Sequence, residues 1–298
     1  MFGEWLWAVF TVTAAGAQTM RNAMQKELTT TLGTVGATHV RFLFGLPFAL
    51  LFLIATATFT GTTPPLPGVE LLAWTALGAG AQFGATALML AAMDMRSFLV
   101  AIAYTKTEPV LVLIFSVAFL SEIPTMMVVA AVIVATAGVL LMSWPSKTAN
   151  REATLRTTVL GIGSGALFAL SAVAYRGGIQ ASDAGNFIVA ASTTLVIALA
   201  LQTATVTAIL IARRRDTLMA ILRLWRPSMT AGFLGALASQ FWFLAFAIQH
   251  AAPVRTLGLI EILFAQIVSR RLFKQHTSRM EAFGIGLLVL GVIMILGG

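Results

Sequence analysis

The chain has 298 residues, of which 58% are hydrophobic and only 10% are charged. Soluble domains carry about 25% charged residues, so this composition excludes a soluble globular protein. The net charge of +8 would favour a nucleic-acid partner in a soluble protein. Basic loops that fix membrane topology explain it better, and we expect no nucleic-acid partner. The chain has no cysteine, which excludes disulfides, thiolate chemistry and cysteine-ligated metal.

Apolar segments of about 20 residues recur along the chain and are long enough to cross a bilayer as helices. The N-terminus lacks the basic region of a cleavable signal peptide, so the first segment is expected to remain as a helix. The sequence therefore predicts an all-α membrane protein with ten transmembrane helices, at 4–22, 34–58, 68–92, 97–120, 124–144, 157–177, 186–212, 228–249, 252–272 and 279–297.

Basic residues predict the orientation of these helices. Most of them lie in the odd-numbered loops, among them Arg21 and Lys26 in the first loop and the arginine run 213–215 in the seventh. The opposite side has Arg176 and Arg255. The positive-inside rule then places the odd loops in the cytoplasm and both termini on the outer side of an inner (plasma) membrane of bacterial type. The arginine run is expected to anchor this topology, with a lipid site as the alternative.

The two halves of the chain, 1–146 and 147–298, share residues in the same order. Corresponding residues lie 153 to 158 positions apart. The pairs are Arg21 with Arg176, Gln82 with Gln240, Glu108 with Glu261, and Gly138 with Gly291. Each half holds five predicted helices, an odd number, so the second half enters the membrane from the opposite face and the repeat is inverted. Such a repeat predicts a shared site near the membrane midplane and alternating access.

The segment 107–122, "TEPVLVLIFSVAFLSE", places Glu-Pro before an apolar run that ends in glutamate. Together with the five-helix repeat and its glycine-containing fifth helix, this motif resembles the EamA-type repeat of the drug/metabolite transporter superfamily, and within it the aromatic amino acid exporter subgroup. The resemblance covers essentially the full chain as two repeats. The second repeat departs from the pattern, since Ile262 follows Glu261 and Gln275 stands where Glu122 maps. The resemblance implies a ten-helix inverted-repeat fold and export of small metabolites; amino acids as substrates follow from the subgroup.

Ionisable residues inside the apolar segments are costly and are functional candidates. Glu108 and Glu261 each lie about ten residues into their helices, near the midplane. In the functional interpretation they anchor the substrate or carry protons. In the structural alternative they cap or bridge neighbouring helices, with Lys106 or Arg41 as counter-ion. Lys106 and Glu108 are two residues apart and cannot pair directly on a regular helix. Pro109 removes a helical hydrogen bond and predicts a hinge.

A cavity for an amino acid needs apolar and aromatic walls with a few convergent polar groups. Helical spacing and the repeat give the candidates for this cavity, and each polar one has inter-helical hydrogen bonding as its structural alternative. They are Gln82, Tyr104, Phe168, Ser171, Tyr175, Ser239, Gln240 and Trp242.

His39 and Arg41 enter the second predicted helix from its cytoplasmic end. His39 can relay protons, and Arg41 can attract a carboxylate. The structural alternatives are a histidine hydrogen-bonded between helices and an arginine that extends to the membrane surface.

The hypothesis from the sequence is a transporter, expected to function as a monomer, that exports amino acids, aromatic ones included, by alternating access through a central cavity. One alternative is efflux of cationic drugs or other small metabolites, with Glu108 and Glu261 binding the cation. Another is a structural or lipid-interacting membrane protein without transport. The sequence has no zinc-protease, nucleophile-elbow or Walker motif, so we expect no enzymatic activity, no cofactor and no metal. The expected partners are the small-molecule substrate and membrane lipid.

Overall fold

A computed structural model describes residues 2–95, 105–142, 151–264, 266 and 279–297. Regular secondary structure within these ranges is helical. The helices are α1 (Phe2–Leu43), α2 (Gly45–Thr60), α3 (Val69–Met95), α4 (Glu108–Leu120), α5 (Met126–Met142), α6 (Arg151–Gln180), α7 (Phe187–Arg213), α8 (Arg215–Arg223), α9 (Trp225–Ile248), α10 (Ala251–Leu257) and α11 (Arg279–Gly297).

Six helical stretches among the described residues are long and apolar enough to cross a membrane, and α4 and α5 are shorter apolar helices. Each of the ten predicted spans contains helix, as expected where lipid cannot satisfy backbone hydrogen bonds. Residues 97–104 of the fourth predicted span, and 265 and 267–272 of the ninth, lie outside the described residues. The protein is thus a multi-pass membrane protein, and the part of it that the structure describes is all-helical.

The first predicted loop is wrong. α1 continues through it, so Arg21 and Lys26 are helical, and Arg21 is only 1% exposed. The reason is local, because residues 23–28 are almost all good helix formers. α1 breaks only at Gly33, whose φ of 66° and ψ of 173° are not helical. Arg21 is therefore a buried residue of a long helix and not a loop residue that fixes orientation.

Gly33→Ala is expected to lower the free energy of unfolding by about 1–3 kcal/mol, because a side chain rarely adopts this backbone conformation. No atom lies within 4 Å of where its Cβ would be, so the loss reports backbone strain without crowding. Thermal unfolding of the purified protein in detergent measures it. The control is Gly80→Ala on α3. A Cβ at this position also meets open space, and alanine has a higher helix propensity than glycine. Equal midpoints for the two variants would contradict the strain at Gly33.

The chain divides into two compact units. Unit 1 comprises Met1–Phe83 and Ala174–Gln249, and unit 2 comprises Gly84–Val173 and His250–Gly298. Each unit draws on both halves of the sequence, and α3 and α6 contribute to both units. The predicted boundary between residues 146 and 147 concerns the repeat, and it stays a prediction.

Unit 1 is built on close packing of α9 against the junction of α1 and α2. A Cβ added at Gly232 would lie 2.5 Å from the Cβ of Phe44, the residue that separates α1 from α2. One turn further along α9, a Cβ at Gly235 would lie 3.0 Å from Cγ of Arg41. The two glycines thus let α9 approach the end of α1 closely.

Unit 2 contains an equally close crossing of α5 and α11. A Cβ at Gly138 would lie 2.6 Å from the carbonyl oxygen of Gly284, and a Cβ at Gly291 would lie 2.8 Å from that of Ala131. Residue 138 therefore faces 284 while residue 131 faces 291, so the two helices run antiparallel where they cross. Glycine at these positions lets the backbones touch.

Candidate functional site

A neutral hydrogen-bond network in unit 1 joins α3, α6 and α7. The hydroxyl of Tyr175 donates to Oε1 of Gln82 at 3.0 Å. Nε2 of Gln202 donates to the same oxygen at 3.1 Å and to the carbonyl of Ala79 at 2.9 Å. Gly78 leaves room for the tyrosine ring, since a Cβ there would lie 2.7 Å from it. The predicted residues Gln82 and Tyr175 are thus in direct contact.

Gln202 was not predicted from the sequence, although it is the one glutamine in the apolar span 186–212. Its Oε1 has no hydrogen-bond partner among the described residues. It lines a pocket of about 180 Å³ together with Ala76, Ala79, Gly80, Phe83, Leu201, Thr205 and Val206. Ligand pockets usually measure about 300–1,000 Å³, so this space is too small to be the predicted substrate cavity.

Aromatic side chains of α6 and α9 pack together in unit 1. The ring centroids of Tyr175 and Phe243 are 4.5 Å apart, and Trp242 stacks on Phe246 at 6.1 Å. Nε1 of Trp242 donates to Oε1 of Gln18 on α1 at 3.0 Å. All four rings are buried. In this conformation the predicted residues Tyr175 and Trp242 belong to a packed aromatic cluster.

Ser239 and Gln240 are buried neighbours on α9 with different partners. Ser239 Oγ accepts a hydrogen bond from Nη2 of Arg41 at 3.1 Å. Gln240 Nε2 donates to Ser192 Oγ on α7 at 2.9 Å, and Thr56 Oγ1 on α2 lies 3.2 Å from the same hydroxyl. Both predicted residues therefore link α9 to other helices of unit 1.

His39 and Arg41 are buried near the end of α1. Nε2 of His39 shares a hydrogen bond with Oγ1 of Thr207 on α7 at 3.0 Å, so this histidine is hydrogen-bonded between helices. Arg41 is 2% exposed, so its guanidinium does not extend to the surface. The stem of Arg21 lies beside that of Arg41, because a Cβ at Gly235 would be 3.4 Å from Cδ of Arg21.

Two buried ion pairs in unit 2 hold the predicted glutamates. Nζ of Lys106 lies 2.6 Å from Oε2 of Glu261. Arg255 binds Glu108 with two hydrogen bonds, from Nε to Oε1 and from Nη2 to Oε2, the second at 2.6 Å. Each glutamate is thus paired with a basic residue from the other half of the chain. Arg255, which the sequence places on the side opposite the basic loops, is 8% exposed.

Regular α-helix is interrupted by an irregular turn just before each glutamate. Residues 106 and 107 form a turn before α4 begins at Glu108. The 3₁₀ turn Gly258–Ile260 follows α10, and α-helix resumes at Glu261. At the spacing of 153 residues the two irregular turns coincide. Glu108 therefore lies at the first residue of α4, where the helix dipole stabilises negative charge.

Pro109 lies in the first turn of α4, a position at which proline is tolerated because its missing N–H would have no partner in the helix. The prediction that it removes a hydrogen bond from the helix interior is therefore wrong, and its role as a hinge stays a prediction. Of the other predicted residues, Phe168 and Ser171 lie on α6 in unit 2, half-buried and buried respectively. Tyr104 lies outside the described residues.

Comparison with known proteins gives a family match for most of the first half of the chain and a fold match for nearly the whole chain. A search of curated proteins found no significant match. Among 29 matching chains of solved structures, one crystal structure aligns with a TM-score of 0.67 over 97% of this chain and 94% of its own, at 14% identity. This likeness shows a shared fold. Residues 5–144, a little under half of the chain, match the EamA-like transporter family, in agreement with the resemblance inferred from the Glu-Pro motif.

Proposed function

We propose that the protein is a transporter of the drug/metabolite superfamily that exports amino acids, aromatic ones included, from the cytoplasm by alternating access through a central cavity between two inverted repeats. The family match of residues 5–144 supports a membrane transporter of small molecules. The observation that carries the proposal is the pair of equivalent irregular turns that interrupt regular α-helix before Glu108 and Glu261. Discontinuous helices at corresponding positions of two repeats mark the binding regions of many secondary transporters.

The crossing of α5 and α11 supports the inverted repeat. Gly138 and Gly291 are equivalent at the spacing of 153, and so are their contacts Ala131 and Gly284. A two-fold axis perpendicular to the helices exchanges these two contacts. Because the helices are antiparallel, such an axis lies in the membrane plane, as inversion of the second repeat requires.

Arg41 is the proposed ligand of the substrate carboxylate. A guanidinium binds a carboxylate with two parallel hydrogen bonds, and Arg21 brings a second guanidinium-bearing side chain against the same glycine, Gly235. Ser239 already orients Arg41 through a hydrogen bond. The nearby aromatic cluster of α6 and α9 supplies the apolar contacts that an aromatic side chain needs. These groups are buried in the present conformation, so alternating access has to open them to the substrate.

Efflux of cationic drugs is less well supported. In that alternative Glu108 and Glu261 bind the cation directly. Both carboxylates are engaged in buried ion pairs with Arg255 and Lys106. A cationic substrate would have to displace Arg255 from Glu108 or Lys106 from Glu261. The displaced side chain would then remain buried without its counter-ion, which has a large desolvation cost.

Flux measurements in liposomes test the proposal. The purified protein is expected to transport labelled phenylalanine and threonine, and to prefer phenylalanine to phenethylamine, which lacks the carboxylate. Arg41→Gln is expected to lower phenylalanine flux about 10- to 100-fold, the equivalent of one charged hydrogen bond, and to leave phenethylamine flux unchanged. Running each assay with and without a proton gradient identifies the coupling.

The exposed arginine of α6, Arg156, gives the matched control, and Arg156→Gln is expected to transport normally. Flux of cationic drugs without amino acids would support the alternative transporter, and no flux of any solute would support a structural protein. Normal phenylalanine flux in Arg41→Gln would refute the carboxylate role of this residue and leave amino-acid transport standing.

A further inference from the structure

The helix α8 was not predicted from the sequence, which places a basic loop there. It has nine residues, and one residue on each side connects it to long apolar helices. Arg214 separates it from α7, which ends at Arg213, and Leu224 separates it from α9, which begins at Trp225. Both neighbours are long and apolar enough to cross a membrane. With connections this short, α8 has to lie where α7 and α9 leave the bilayer.

One face of α8 packs against the protein. Ile221 is fully buried, and its Cδ1 and the Cγ2 of Thr217 lie 3.9 and 3.0 Å from where a Cβ of Gly36 on α1 would be. The two residues are four apart and share a helix face. This contact fixes the rotation of α8 and so determines which side chains point away from the protein.

The opposite face is apolar and basic at the same time. Met219 and Leu222 are 51% and 48% exposed, and Trp225, the first residue of α9, is 53% exposed. Between and beside them are exposed arginines, while Asp216 is the single acidic residue of the segment 213–226. The arginines are Arg213, Arg214, Arg215, Arg223 and Arg226. Exposure of methionine, leucine and tryptophan to water is unfavourable, whereas the headgroup region of a bilayer buries such side chains.

We propose that the outer face of α8 is a binding surface for anionic phospholipid. Its apolar side chains insert at the level of the acyl-chain boundary and its arginines bind the phosphate groups of the headgroups. Trp225 occupies the interface at the start of α9, a position typical of tryptophan, and the guanidinium of Arg226 lies 5.4 Å from its ring centroid. The segment 213–226, which contains α8, carries five exposed arginines against one aspartate, so the surface selects anionic over zwitterionic headgroups.

Fluorescence quenching of Trp225 in the full-length protein tests this surface. The protein is reconstituted in mixtures of phosphatidylcholine and phosphatidylglycerol in which one lipid is brominated, at equal mole fractions. The difference between the protein and its Trp225→Phe variant isolates this tryptophan from the other five. We expect stronger quenching by brominated phosphatidylglycerol. Each arginine removed is expected to lower this preference by up to about fivefold, so that Arg214→Gln/Arg215→Gln/Arg223→Gln abolishes it.

Two further variants keep the test independent of folding defects. Arg156→Gln removes an exposed arginine elsewhere and is expected to keep the full preference. Met219→Ser/Leu222→Ser retains all arginines and is expected to reduce quenching by both lipids while keeping the preference. The proposal is overturned by an unchanged preference in the triple variant, or by absence of Trp225 quenching with either lipid. It is also overturned if inorganic phosphate removes the preference, because the surface would then bind free phosphate.

Discussion

Glu261→Gln is expected to lower the free energy of unfolding by about 3–5 kcal/mol, the usual cost of removing one partner from a buried ion pair. Lys106 is 6% exposed, and its ammonium lies 2.6 Å from the Glu261 carboxylate. Without this carboxylate, a positive charge stays buried in an apolar segment. Thermal or denaturant unfolding of the purified protein in detergent measures the loss. The control is Glu70→Gln on α3, which removes an exposed carboxylate and is expected to change stability by less than about 0.5 kcal/mol.

A double variant separates the structural from the functional role of this pair. Lys106→Met/Glu261→Leu removes both charges and is expected to recover most of the stability, since apolar residues replace buried ion pairs at little cost. If this variant is stable and still transports phenylalanine, Glu261 is a structural residue. If it is stable and inactive, the charges take part in transport. A double variant as unstable as Glu261→Gln would contradict the pairing with Lys106.

Gly138→Ala is expected to destabilise the protein by about 1–3 kcal/mol or more, because the added methyl group meets backbone that cannot rotate away. Its Cβ would lie 2.6 Å from the carbonyl oxygen of Gly284 and 2.7 Å from the amide nitrogen of Leu288. The helices α5 and α11 then have to separate, and their packing is lost along the whole crossing. The midpoint of thermal unfolding and the fraction of monodisperse protein after extraction are the measurements.

The matched control lies on α11 itself. Gly286 has no atom within 4 Å of its Cβ position, so Gly286→Ala is expected to be neutral or to stabilise the helix by up to about 1 kcal/mol. Gly284→Ala, which reaches the carbonyl oxygen of Gly138 at 2.5 Å, is expected to behave like Gly138→Ala. If all three variants unfold at the same temperature, the two helices do not cross at these glycines.

The helical spans were predictable from the sequence because lipid imposes a length and an apolar composition on any segment that crosses it. The continuation of α1 through the first predicted loop was not predictable, because the residues that continue the helix past Arg21 are polar enough to resemble a loop. α8 was missed for a related reason: nine residues are too short for a span, although Leu218, Ile221 and Leu222 recur at helical spacing.

The candidate site was predicted in part. Repetition in the sequence identified both glutamates, and the polar residues Gln82 and Gln240, which take part in hydrogen-bond networks. It did not reveal their partners. Arg255 and Glu108 are 147 residues apart in the chain, and no local pattern reports a contact over such a separation. Gln202 has no glutamine counterpart in the first half, so the repeat carries no signal for it.

The long-range ion pairs of unit 2 also set the order in which the protein can be completed in the cell. Ribosomes add about 5–20 residues per second, so extending the chain by the 147 residues from Glu108 to Arg255 takes about 7–30 s. During that time the fourth span has left the ribosome with its lysine and its glutamate, while the residues that pair with them have not been made. Charge compensation within unit 2 is therefore a late event of biogenesis, and it awaits insertion of the penultimate span.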